Sequence, residues 1–110
     1  MAYDEDLANR IREILATTPN IDERRMFGGL AFLINGNMAV AASGKGGLMV
    51  RVPPEEAAAL SAREHVEPMV MAGRETRGWL RVETEGVRTA RQLRPWVTRG
   101  VTYASGLAPK

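Results

Sequence analysis

Arg25-Met26-Phe27-Gly28-Gly29, Leu30-Ala31-Phe32-Leu33-Ile34, Asn35-Gly36 and Asn37-Met38-Ala39-Val40-Ala41-Ala42 follow one another directly, and this stretch decides the fold. Asn-Gly between two apolar runs is the strongest short hairpin signal, because a type I′ turn needs positive φ at both central residues. The runs on either side of Asn35-Gly36 therefore read as paired antiparallel strands, with Met38, Val40 and Ala42 expected on one face. Gly28-Gly29 interrupts an otherwise apolar strand. A bulge or a close backbone approach is expected there, with positive φ at one glycine or both.

Downstream, Ser43-Gly44-Lys45-Gly46-Gly47 reads as a second turn and Leu48–Val52 as a third strand, with Leu48, Val50 and Val52 facing inward. Upstream lies an amphipathic helix. Asp4 can cap it, Glu5 and Asp6 suit its positive first turn, and Leu7, Ala8, Ile11, Ile14 and Leu15 share a face. Thr17-Thr18-Pro19 ends it. Pro53-Pro54-Glu55-Glu56 opens a short second helix. Glu67–Met71 and Gly78–Glu83 read as two more strands around a turn at Gly73-Arg74-Glu75, and Pro68 assigns the first of them to a sheet edge. The last helix starts at Thr89, which forms a capping box with Gln92. Ala90, Leu93, Val97, Val101 and Ala104 share its apolar face, and Pro95 is expected to kink or restart it. The order is α-β(3)-α-β(2)-α. This predicts a two-layer α+β fold, an antiparallel sheet with helices packed on one face.

The length of 110 residues suits one domain, spanning 1–110, that buries roughly 65% of its unfolded surface. There is no cysteine, so disulfides and thiolate metal sites are excluded, as a reducing cytoplasm would permit. The N-terminus is acidic, unlike a secretory signal, and no apolar run nears the ~20 residues that span a bilayer. A soluble, cytoplasmic protein with no membrane partner is the expectation. Net charge is only +2, but Arg88–Lys110 carries five basic residues and no acid.

Catalytic and cofactor signals are weak. His65 is the only histidine, in a predicted loop beside Glu64 and Glu67, and reads as a surface residue. The Ser43–Gly47 turn lacks the spacing and following helix of a phosphate loop, and no GxGxxG occurs. No catalytic residue, metal or cofactor is therefore assigned. Met38, Met49, Met69 and Met71 fall in predicted strands, with Met49, Met69 and Met71 off the main core stripe. Met69, Met71 and Trp79 crowd the second hairpin with apolar bulk and form a candidate interaction surface, for a second copy in a homodimer or for another protein. Trp96 stands on the flank of the last helix, as a core edge or an interface anchor. Arg88, Arg91 and Arg99 point away from that helix's apolar stripe and are candidate phosphate contacts.

Arg25-Met26-Phe27-Gly28-Gly29, Phe32, Asn35-Gly36-Asn37-Met38 and Leu48-Met49-Val50-Arg51 resemble the signature of the TfoX/Sxy N-terminal domain family, and Met69–Gly73, Trp79 and the Trp96 helix match its later pattern. The resemblance spans nearly the whole chain. It implies an α-β(3)-α-β(2)-α arrangement like that of secretion chaperones. It also implies kinship with competence regulators that act with a transcription activator, with the expectation that their second, C-terminal helical domain is lacking. The first functional reading is a non-enzymatic protein-interaction module, such as a transcription co-regulator. The second is a nucleic-acid-binding domain using the arginine-bearing last helix. The third is an enzyme built on carboxylates and arginines.

Overall fold

The computed structural model describes residues 3–26, 28–71 and 73–109, with the side chains at 71 and 74–77 outside the description. Phe27 and the side chain of Met71 thus lie outside the described residues. The elements are α1 (Glu5–Ile14), β1 (Ile21–Met26), β2 (Gly29–Ile34), β3 (Asn37–Ala42), β4 (Leu48–Arg51), α2 (Pro54–Ser61), β5 (Val66–Met71), β6 (Arg74–Val82) and α3 (Ala90–Ser105), with a 3₁₀ turn over Thr84–Val87 before α3. The six strands form one antiparallel sheet in the order β1-β2-β3-β4-β6-β5. The α+β class and the helices on one face match the sequence reading.

Helix ends follow their side chains. Leu7 N–H donates to Asp4 Oδ1 (3.2 Å), and Thr89 with Gln92 forms the full capping box. Pro54 starts α2 at its first turn. α3 runs unbroken through Pro95, so Pro95 does not restart it. The bond that proline removes would have ended on the carbonyl of Arg91, an exposed residue whose oxygen water can satisfy.

The hairpin at Asn35-Gly36 has positive φ at both residues, 53° and 83°. At the glycine pair the expectation is met in a different setting. Met26 and Gly29 are register partners, so the pair closes a hairpin between β2 and an additional strand, β1, rather than interrupting one strand. Gly28 has φ 76°, and a Cβ on Gly29 would collide with the Ala42 carbonyl oxygen. β1 reads Ile-Asp-Glu-Arg-Arg-Met and buries none of its four central side chains, so no apolar alternation announces it.

A second difference lies in β3. Phe32 pairs with Val40, but Leu33 pairs with Met38, so the register shifts around Ala39. The extra residue turns Met38 to the opposite face from Val40 and Ala42, correcting the expectation that the three share one.

The main core lies between the sheet and the helices. Leu7, Ala8 and Ile11 of α1 with Leu15 at its C-cap, Leu60 of α2, and Leu93, Trp96 and Val97 of α3 pack on Phe32, Val40, Leu48, Val50, Leu80 and Val82. Trp96 is therefore a core residue. The chain's end is also tied down, because the buried Asn37 amide donates to the Ala108 carbonyl (2.9 Å). Among the described residues no helix is long and apolar enough to cross a membrane.

Two predictions test this account. A glycine inside a helix normally costs ~0.5–1 kcal/mol relative to alanine. At Gly100, however, an added Cβ would lie 2.7 Å from the Ala39 carbonyl oxygen and 2.9 Å from a Val40 methyl. Gly100→Ala should therefore destabilise by ~1–3 kcal/mol in urea unfolding, reversing the usual sign. The second concerns Arg12 of α1, which donates twice to Glu23 of β1 (2.7 and 2.8 Å). These bonds hold the Glu23 carboxyl below its ordinary range, against a smaller opposing effect of desolvation. A lowered folded value means that the stabilisation is present above the unfolded glutamate range and is lost as pH falls through the folded value. Stability curves of wild type and Glu23→Gln should separate above that range and converge in acid.

Candidate functional site

The sheet's other face has its own chemistry. Antiparallel register places Arg24, Ala31, Ala41, Met49, Arg81 and Glu67 opposite one another in a row crossing all six strands. At its centre Ala31, Leu33, Ala41 and Met49 are buried, and the half-buried Met26, Met38 and Met69 pack against them. This cluster draws no residue from a helix among those described. Methionine is unbranched and polarisable, so it covers an irregular apolar surface and can repack against a visitor. Charge sits at the two ends of the row, on the edge strand β1 and on the β6-β5 hairpin.

Of the proposed trio, Met69 joins this methionine group. Trp79 is half-buried and receives the guanidinium of its register partner Arg51, 5.7 Å from the ring centroid. Arg51 also lies 5.9 Å from the Tyr103 ring of α3. Of the signature residues, Met26 joins the same face, and Arg25 is exposed on β1.

Arg81 links this face to the glycine turn. Its Nη1 donates to Ser43 Oγ (3.1 Å), its Nη2 to the Lys45 carbonyl (3.3 Å), and its Nε lies 3.5 Å from Glu67. The turn closes on its own backbone, with Ser43 N–H donating to the Gly47 carbonyl (3.0 Å), as a hairpin does. His65 sits in a left-handed conformation (φ 66°) between Glu64 (3.1 Å) and Glu83 (3.5 Å), rather than beside Glu67. Among the described residues no group of three His, Cys, Asp or Glu side chains could hold a metal ion.

The arginines of the last segment divide. Arg88 and Arg91 are exposed at the start of α3. Arg99 instead lies over the Trp96 ring (5.1 Å), with Arg63 near the same ring (5.7 Å). Arg99 Nη1 is buried without an acceptor among the described residues, and an unmade bond of this kind costs on the order of 1–3 kcal/mol. Arg99 lines an open groove of about 820 Å³ between α2 and α3, together with Pro53, Glu56, Arg94, Thr98 and Tyr103. Charge counting along the tail grouped Arg99 with Arg88 and Arg91. The structure groups it with Arg94, which sequence reasoning left out. The spacing of Arg94, Thr98 and Thr102, one turn apart each, was the available signal.

The model of the TfoX N-terminal domain matches residues 13–104, and the chain belongs to that family. No curated protein matches it in sequence.

Proposed function

We propose that the chain is a protein-interaction module and that it meets its partner with the helix-free face of the sheet. One observation carries this reading: Met26, Met38, Met49 and Met69 gather there, on the side where no described helix packs. Adaptable methionines flanked by charge suit a surface that must fit another protein. Both sheet edges are blunted, β1 by its charged residues and β5 by Pro68, which favours a closed face-to-face contact over strand addition. A symmetric homodimer is the simplest form of that contact. Membership of the TfoX N-terminal domain family supports the finer reading, a transcription co-regulator working through protein contacts inside the cell.

Sedimentation of wild type and Met38→Asp tests the face, alongside capture from the native lysate with each as bait. Met38 is half-buried, so the variant should keep its helical signal and lose only ~1 kcal/mol of stability. Self-association or capture should fall at least about tenfold, because a charge must then be buried in the contact. Equal association of the two proteins would sink the proposal.

A second reading, nucleic-acid binding through α3, is favoured by one observation. Arg88, Arg91 and Arg94 are exposed and have no carboxylate within 4.0 Å among the described residues. Three phosphate contacts would give a log-log salt slope of about −2.7 on duplex DNA. We expect no complex at physiological salt, since net charge is small and both tryptophans are engaged within the fold. A salt-sensitive gel shift abolished by Arg88→Glu with Arg91→Glu would establish the second reading instead.

A further inference from the structure

We infer that the groove between α2 and α3 is a binding site for a small amphipathic anion, a flat apolar body bearing a carboxylate or a phosphate. The site lies on the helical side of the sheet and is independent of the methionine face. Its floor and rim are apolar where Pro53, Pro95, Leu107 and the Tyr103 ring line it, and the hydroxyls of Thr98 and Thr102 stand one turn apart along it. A volume of about 820 Å³ falls within the range of small-molecule sites.

Charge selects the ligand. Arg94 and Arg99 line the groove against a single acid, Glu56, and neither arginine has a carboxylate within 4.0 Å among the described residues. Arg51 lies near the Tyr103 ring, 5.9 Å from its centroid, but does not line the groove. An aromatic face orients a guanidinium without neutralising it. Arg99 is thus fixed over Trp96 with its charge uncompensated and one amino group lacking an acceptor. A small swing of this side chain towards the groove would give that group an anionic oxygen, and planar two-point pairing with carboxylate or phosphate is what a guanidinium does best. Arg94, exposed at the rim, supplies the second contact, while the apolar body lies against the prolines and Tyr103.

The test titrates the isotope-labelled full chain with naphthoate, naphthyl phosphate and neutral naphthylmethanol, followed by amide shifts. At least one anion should saturate, with the largest shifts at Thr98, Thr102, Tyr103 and Leu107. The alcohol should bind about tenfold more weakly or worse. Whichever anion binds more tightly identifies the headgroup. Arg99→Gln and Arg94→Gln should each weaken the anion about tenfold and leave the alcohol unchanged. Should Arg99→Gln fail to fold, Arg94→Gln, altered at an exposed position, decides alone. Failure of both anions to saturate, equal binding of the alcohol, shifts confined to the methionine face, or arginine variants with wild-type affinity would each overturn the inference.

Discussion

The approach of α3 to the centre of the sheet at Gly100 is the contact on which the rest depends. Without a side chain there, the helix backbone comes down beside the Ala39 carbonyl and the methyls of Val40 and Val50. Leu93, Trp96 and Val97 then reach the sheet and close the main core. Arg94, Thr98, Arg99 and Tyr103, which flank that seated face, line the groove towards α2, so the groove follows from the seating of the helix. Ala39, under Gly100, is also the residue around which β3 slips its register. That slip sends Met38 to the other face. One close contact therefore sits at the junction of both surfaces with functional potential.

The two faces of the sheet solve different problems. Under the helices the side chains are mostly branched aliphatics, stiff and tightly packed, and they specify the fold. The other face uses alanines at its centre and methionines around them, so little of it is shape-specific. A cluster of this kind closes well enough over itself to leave Leu33 and Met49 at 5% and 7% exposure, yet its covering side chains are the most easily rearranged in the protein. Such a face is stable alone and can accept a partner without disturbing the main core.

Much of the fold was legible because it rests on local chemistry. Asp4, the Thr89–Gln92 pair and Pro54 each mark a helix start by satisfying or lacking a backbone donor. Asn35-Gly36 fixes a hairpin because few other pairs tolerate its dihedrals. β1 was not legible, since its inner-face residue Glu23 is held by an ion pair to α1 rather than by apolar burial. The slip at Ala39 was hidden for a different reason. Both Met38 and its neighbours are apolar, so no polarity change marks the residue at which the face reverses. The candidate surfaces were half legible. Met69 was found through its apolar neighbourhood, whereas Arg94 and Tyr103 gain meaning only once α2 lies alongside them.

Arginine shows why composition could not go further. Arg12, Arg10 and Arg81 are spent within the fold, on Glu23, on the Val87 carbonyl, and on Ser43, Lys45 and Glu67 respectively. Arg51, Arg63 and Arg99 are placed instead by aromatic rings. The two kinds of contact look alike in a count of charges and differ in consequence. A carboxylate partner cancels the field of a guanidinium beyond a few ångströms, and a ring leaves most of it in place. The fold therefore uses its acids to secure α1 and the β6-β5 edge, while its aromatic side chains hold cations in position around α3 with their charge intact. Beside the groove, the position of Trp96 places Arg99, while Arg94 of the basic tail stands exposed without a ring among the described residues to hold it.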